Sequence, residues 1–417
     1  MKLSKIVILI AIFFNNSFCE DFNYRFNYFG NLNLSALNEE GYAFRNFQME
    51  YIKDDIDYQP YSKLGSQLNI NKNNFDLTAQ AIVKRYESSF DTDLPWLNLK
   101  YTYNDFAIRA GKMQLPLFLN SNTLDIDYIH LWAKAPIEVY GIFPAKTYKG
   151  LEFIYQKSFS DSIYLDLQAT PYGEIKEKVS MLDTLGKVTA KVDNIRNIML
   201  NLEIDNLIFR TSYTKGKLTI PLDGTGLNTL TNTLNALGFN DLAKKYSFKD
   251  NELEFLSFGL DYTYDNLIFN SEISKIDSNS FLPSMLAYYA LTGYRYNKWT
   301  PFLMYARNKN DKDHYTEGAL STTSTSPVIV GTIKQLKDSL EKELYKMNSS
   351  QETISLGLKY DYKPGIAFKF QFDRITTTNY GTPHTDSAYE RFGFLSRKRG
   401  VEDKPVYLYT LSFGFAF

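Results

Sequence analysis

QETISLGLKYDYKPGIAFKFQFDRIT, residues 351–376, is the stretch on which the fold turns. In its second half Phe368, Phe370 and Phe372 alternate with Lys369, Gln371 and Asp373. In its first half Lys359 and Asp361 share one phase while Tyr360 and Tyr362 share the other. A period of two makes each half a strand with one oily and one wet face. Between the halves Lys363-Pro364-Gly365 has the composition of a tight turn, where glycine accepts a positive φ. A strand of a soluble sandwich also alternates, so the decision depends on how the unit is repeated along the chain.

Segments of this kind are expected near 27–37, 61–71, 74–85, 95–104, 105–115, 147–158, 161–170, 194–205, 206–215, 252–265, 266–276, 284–296, 298–307, 351–362, 366–376 and 404–417, sixteen in all. Every second joint is a tight pair: Asn73-Asn74, Asn104-Asp105, Ser160-Asp161, Asp205-Asn206, Asp265-Asn266 and Asn297-Lys298, followed by the 363–365 turn. The other joints are mostly long, at 38–60, 86–94, 116–146, 171–193, 216–251, 308–350 and 377–403, with 277–283 the short one. Strict alternation of turn and loop is the pattern of an all-β, antiparallel transmembrane barrel with turns on the periplasmic side and loops outside. Closure removes the sheet edges that a bilayer cannot hydrate. Tyr101 and Tyr103, Tyr262 and Tyr264, Tyr294 and Tyr296, and Tyr360 and Tyr362 precede tight turns, where an aromatic girdle would meet the membrane interface.

Composition agrees. The 417 residues include 32 Tyr and 31 Phe, yet 22% are charged. After residue 20 no apolar run reaches the roughly 18 residues that a membrane-crossing helix needs. The net charge of -1 offers no basic stripe for nucleic acid. Cys19 is the only cysteine, and with it removed neither a disulfide nor a cysteine metal site is expected.

Residues 1–19 are read as a signal peptide, with Lys2 and Lys5 ahead of the apolar stretch Ile6 to Phe14 and Ser17-Phe18-Cys19 at the cleavage site. Acylation of Cys19 is disfavoured because Phe18 stands where a lipoprotein signal has Gly or Ala. The mature barrel is then 20–417. In its last strand Tyr407, Tyr409, Leu411, Phe413, Phe415 and Phe417 share the outward phase, opposite Leu408, Thr410, Ser412, Gly414 and Ala416. An outward phase ending on Phe resembles the terminal insertion signal of outer-membrane proteins. The resemblance implies recognition by the barrel-assembly machinery through Tyr409, Leu411, Phe413, Phe415 and Phe417.

The third long loop carries the most specific motif. GKMQLPLFLNSNTLDIDYIHLWAKAPIEVYG, residues 111–141, has Gly-basic, then Pro-Leu, then Ser-x-x-x-Asp-x-x-Tyr. It resembles the corresponding segment of the sixteen-stranded general porins of Gram-negative outer membranes, loosely the DcaP-like and phosphate-selective types. Asn122 stands where those carry an acid, and His130-Leu131 precede Trp132 where Pro is common. The resemblance implies a homotrimer and a loop folded into the lumen. It also implies passive diffusion of small hydrophilic solutes and ions, with contacts to outer-membrane lipid and lipopolysaccharide.

Physically, Asp125, Asp127, His130 and Glu138 on such a loop, facing Lys84, Lys100, Arg109 and Arg210 on the wall, would set up a transverse field at a constriction. The wall phase also carries Lys359, Lys369, Asp76, Glu152, Asp166, Glu203, Asp261, Glu272, Asp361 and Asp373. Neither sign dominates, so weak selectivity is expected. Leu227, Leu230, Leu234 and Leu237, and again Ile333, Leu336, Leu340, Leu344 and Met347, have helical spacing within long loops and would pack on neighbouring loops, the alternatives being a lid over the mouth or a site for an external partner. His130, His314 and His384 all fall in loops without a Ser or Asp nucleophile motif, so enzyme activity is not expected. No metal and no cofactor is expected. Glu20 to Asn27 is too short for a plug, whereas adhesion through the long loops is the alternative role.

Overall fold

The computed structural model describes residues 23–40, 42–45, 51–53, 55–58, 60–86, 89–143, 146–179, 188–221, 226–279, 284–310, 327, 330–332, 334–335, 350–378, 389–392, 395–398, 402 and 404–417. The signal-peptide segment and the helical spacing at Ile333 to Met347 lie outside the described residues.

The described residues form twenty strands. They are β1 (Asn23–Leu37), β2 (Tyr42–Arg45), β3 (Tyr51–Ile52), β4 (Lys63–Lys72), β5 (Phe75–Tyr86), β6 (Ser89–Tyr103), β7 (Phe106–Gln114), β8 (Thr147–Ser160), β9 (Ile163–Val179) and β10 (Val188–Ile204). They continue with β11 (Leu207–Thr219), β12 (Asn251–Tyr264), β13 (Leu267–Ser278), β14 (Met285–Tyr294), β15 (Trp299–Asn310), β16 (Ser350–Lys363), β17 (Ile366–Thr378), β18 (Tyr389–Phe392), β19 (Leu395–Lys398) and β20 (Val406–Ala416). Short α-helices of the loops include α1 (Ile137–Tyr140), α2 (Gly226–Ala236) and α3 (Asn240–Tyr246).

Sixteen strands close into one antiparallel barrel, with β1 hydrogen-bonded to β4 on one side and to β20 on the other. The seam is clamped at its end by Tyr28 and Phe417, whose backbones exchange bonds of 2.9 and 2.8 Å. The remaining strands, β18-β19-β2-β3, form a small sheet from the first and last loops. Phe44, Ile52, Leu395 and Ile137 are buried together beneath it.

The tight turns follow the reading of the sequence. Asn73, Asn104, Asp205, Asp265 and Asn297 all have φ between 50° and 53°, and Gly365 has φ 83°. Asn and Asp tolerate this left-handed region better than other side chains. Ser160-Asp161 differs, because neither residue has positive φ and the β8–β9 ladder instead shifts register at Ser158/Ser160. Two expected loops are also corrected. Most of 86–94 and 171–193 is strand, since β6 begins at Ser89, β9 runs to Val179 and β10 starts at Val188. The backbone ladder continues past the height at which lipid enforces an apolar face, so alternation fades before hydrogen bonding does.

Outward-facing Leu32, Leu99, Ile198, Phe258, Leu356, Phe370 and Leu411 are exposed around the circumference. Exposed apolar surface this continuous is that of a wall meant for lipid. Below it Tyr103, Tyr264, Tyr296 and Tyr362 are exposed beside the tight turns. Among the described residues no helix is long and apolar enough to cross a membrane. In β20 the phase holds: Tyr409, Leu411 and Phe417 are exposed, Phe413 and Phe415 half-buried, while Leu408, Thr410 and Ser412 are buried inside.

Candidate channel constriction

After β7 the chain turns inward at Leu115-Pro116, where proline cannot donate to the ladder, and residues 115–143 run through the barrel interior. The loop holds its shape through a short 3-10 turn at Asp127–Ile129 and the single helical turn α1. Its apolar residues Leu117, Phe118, Trp132, Val139, Tyr140 and Phe143 pack against Phe255, Tyr289, Phe302 and Met304 of the wall. The loop is therefore a plug of ordinary protein core built against one side of the barrel.

Its polar groups fasten it there. Asp127 pairs with Lys369 of β17 at 2.9 Å and accepts from the Ser412 hydroxyl of β20 at 3.2 Å. Lys369 also donates to the Trp132 carbonyl at 3.0 Å. The loop can come this close because position 414 is glycine: a Cβ there would lie 2.4 Å from the Asp127 carboxylate. The Gln371 side-chain carbonyl accepts from the backbone N–H groups of Ala133 and Lys134 at 2.9 and 3.1 Å. Lys134 in turn pairs with Asp373 at 3.2 Å and stands 4.8 Å over the Phe44 ring. Glu138, fully buried, accepts from Gln351 and Thr353 of β16.

Further round, Glu272 of β13 accepts from the Leu119 N–H at 3.1 Å and from the Tyr140 hydroxyl at 3.2 Å. Arg210 of β11 donates to the Leu119 carbonyl at 2.9 Å. At the other end of the loop Asp125 pairs with Lys63 of β4 at 3.1 Å. Burial alone would raise the Asp125 pKa, but Lys63, Lys146 and Lys84 outweigh it and hold the carboxyl below the usual carboxylate range. Lys146 is pushed down to about 8 by burial, with Asp125 opposing and Lys84 and Lys63 adding to the drop. His130 is buried, with Nε2 2.9 Å from the Thr123 carbonyl and its ring stacked on Trp132 at 4.7 Å. Burial lowers its pKa to about 4, against the Thr123 bond and with help from Lys369.

Of the acids expected to face the wall cations, Asp125 lies beside Lys63 and within reach of Lys84, while Asp127 and Glu138 lie against other strands. Asp127 and Glu138 face the wall behind the loop, Asp127 on the Lys369 ammonium and Glu138 on the Gln351 amide and Thr353 hydroxyl, because a carboxylate in a dry seam must find partners. Asp125 is spent on Lys63, His130 is an internal packing group, and Arg210 is a clamp on the loop backbone. Of the expected wall residues, Lys100 and Arg109 stand apart from this seam, whereas Lys84 lies near enough to Asp125 to act on its carboxyl. Lys100 pairs with Asp76 at 3.1 Å, Lys84 and Lys112 with Asp93 at 3.5 and 3.1 Å, and Arg109 with Glu152. Arg109 also stacks on Trp96 at 5.1 Å.

Several functional partners were not singled out from the sequence. Lys369, Glu272 and Asp373 were readable only as inward-phase wall residues, while Lys63, Lys134, Gln351, Thr353 and Gln371 carried no signal as loop partners. Above the loop, α2 and α3 bury Leu230, Leu234, Ala243 and Tyr246 against Ile175, Val192, Ile195 and Leu218 of the wall. Leu230 and Leu234, expected to pack on neighbouring loops, pack instead on the barrel wall and on α3 of their own loop.

A closed antiparallel barrel of sixteen strands, apolar outside and crossed within by its third long loop, has the architecture of outer-membrane porins. Among solved structures it is similar to the outer membrane channel DcaP of Acinetobacter baumannii, with a TM-score of 0.53 at 10% identity over 95% of this chain and 98% of that one. It is likewise similar to the trimer form of OmpT, an outer membrane protein of Vibrio cholerae, with a TM-score of 0.52 at 10% identity over 95% and 100% of the two chains. No family model and no curated protein matches the chain in sequence.

Proposed function

We propose that the protein is an outer-membrane channel for passive, weakly selective diffusion of small hydrophilic solutes and ions, with the 116–146 loop as its constriction. The observation that carries this reading is the unequal wetting of charge inside the barrel. Seam groups are dry: side-chain exposure is 1% for Lys134 and 0% for Asp373. On β5 to β7 it is 27% for Asp76, 32% for Lys100, 33% for Asp93 and 28% for Lys112. Interior charge that stays solvated marks an aqueous path beside the loop, and a barrel of this strand number has room for one. Both signs line that path, which supports weak selectivity.

The fold shared with a trimer-forming outer membrane protein supports a homotrimer, and the aromatic phase of β20 supports insertion by the barrel-assembly machinery. The reading is of a channel and not an enzyme: His130, the one candidate general base on the loop, is committed to Thr123 and Trp132. Single-channel recording in planar bilayers tests the proposal, with stable open steps and a small reversal potential in a salt gradient expected. A purified, folded protein that never conducts overturns it.

A further inference from the structure

Between the loop and the tight turns, one row of the barrel interior carries acids that the chain leaves without a cation. Round the ladder at this level Tyr164 of β9 is opposite Glu203 of β10, Glu203 is opposite Ile208 of β11, and Ile208 is opposite Asp261 of β12. All four take the inward phase, since Ile163, Ile204, Tyr213 and Tyr262 of the other phase are exposed on the outer wall. All four are half-exposed.

Each carboxylate of the row is oriented by one asparagine. The Asn201 amide donates to Glu203 Oε1 at 2.9 Å, and the Asn270 amide donates to Asp261 Oδ2 at 2.7 Å. Among the described residues neither acid has a lysine or arginine within ion-pair distance, whereas Asp76, Asp93, Asp125, Asp127 and Asp373 each have one. In the next row towards the loop, Asp166 is opposite Asn201 and Glu272 is opposite Gly259. The cation of that row, Arg210, is turned to the Asn201 side chain and the Leu119 carbonyl. Asp166 is 9% exposed, and its Oδ1 atom has no hydrogen-bond partner. From β9 to β13 the two rows therefore set Asp166, Glu203, Asp261 and Glu272 against Arg210 alone.

Carboxylates partly withdrawn from water call for a cation beside them, and the spacing decides its chemistry. Glu203 and Asp261 stand two strands apart, about 10 Å from backbone to backbone. A metal ion holds its oxygen ligands at about 2.3–2.6 Å and does not bridge that gap. Ile208 lies midway, where it offers a hydrated ion nothing but gives methylene groups an apolar surface. Tyr164, next to Glu203 in the ladder, adds an aromatic ring of the kind that attracts an ammonium. We propose that this row binds short α,ω-diammonium solutes, with one ammonium on Glu203, the other on Asp261, and the methylene chain across Ile208. The site rests on the channel reading above and names a class of solute that the lumen holds as well as passes.

The test measures binding of cadaverine, a five-carbon diamine, to the detergent-solubilised protein by calorimetry, and its blockade of single channels. The parent is expected to bind cadaverine at least about tenfold more tightly than n-pentylamine or Mg2+, the worth of one charged hydrogen bond. E203Q/D261N should lose this preference and the blockades while keeping the heat-modifiable gel migration of a folded barrel. Ile208→Asn keeps both acids and should weaken cadaverine about threefold by removing the apolar contact, which decides the matter if the double variant does not fold. Equal affinity of the parent for cadaverine and n-pentylamine, tighter binding of Mg2+, or cadaverine binding unchanged in both variants overturns the site. A parent that conducts without discriminating the two amines refutes the site alone. A parent that binds cadaverine through Glu203 and Asp261 but never conducts refutes the channel reading and supports the site.

Discussion

Lys134 and Asp373 meet at 3.2 Å, and Lys100 and Asp76 meet at 3.1 Å. The distances match, but the surroundings do not: the first pair is 1% and 0% exposed, the second 32% and 27%. The first lies in the seam between the loop and β17, where charges left unpaired are costly. The second lies on the open wall, where water screens each partner. One barrel interior thus holds two kinds of charge. On the seam side, from β11 round through β20 to β4, charge fixes the position of the loop. On the other side, β5 to β7, it faces the proposed aqueous path.

The sharpest way to break this comparison is to strip the seam of its central cation. Lys369 serves Asp127 and the Trp132 carbonyl at once. Lys369→Met leaves Asp127 buried and uncompensated, and removing one member of a buried pair costs about 3–5 kcal/mol. The expected outcome is a lower melting temperature and a 116–146 loop open to limited proteolysis, with noisy conductance. Adding Asp127→Asn should recover part of the loss. A Lys369→Met protein with unchanged melting and a protected loop would remove the seam's claim to hold it.

Acid attacks the same seam. His130 has a folded pKa of about 4 against 6.5 for a free side chain. The released loop therefore binds a proton in this window that the seated loop does not, and stability falls as pH drops. The contribution is complete above pH 6.5 and is lost progressively towards pH 4, about 3 kcal/mol in total. Asp125, held below the usual carboxylate range, adds a further loss only at still lower pH. Loop proteolysis followed from pH 7 to 4.5 should rise steeply, and His130→Phe, which keeps the stack on Trp132, should flatten the rise.

A smaller change comes from Glu138→Leu, which leaves Gln351 and Thr353 without their shared acceptor. Unsatisfied buried groups cost about 1–3 kcal/mol. A drop in melting temperature below that of Lys369→Met is expected, with ion preference untouched because Glu138 does not face the aqueous path.

The strand count was legible in the sequence because lipid and water impose opposite demands on successive residues, and segments such as 366–376 record both. The turns were legible for a similar reason, since Asn73, Asn104 and Gly365 satisfy a local backbone requirement. Strand ends beyond the bilayer, such as Ser89 and Val179, were not, because hydrogen bonding there proceeds without an apolar face. The loop was recognisable from its motif, but the wall partners of Asp127 and Glu138 were not. Asp127 meets Lys369 across 242 residues of chain. Nothing in the spacing of either residue tells a carboxylate that lines a pore from one that fastens the element carrying it.

The finest test separates the two kinds of charge by exchanging one lysine from each. Lys100→Gln removes a cation from the open wall, and a partly exposed pair of this kind contributes only about 0–1 kcal/mol. Melting should barely move, while the reversal potential in a salt gradient shifts towards cations because Asp76 is left uncompensated beside the path. Lys134→Gln removes a cation of the same formal charge from the dry seam and should do the reverse, lowering stability while leaving ion preference where it was. The contrast lies in the pairing of the two readouts. If both substitutions moved stability alike, or both moved selectivity alike, the division of the interior into a seam that holds the loop and a wall that meets the solute would fail.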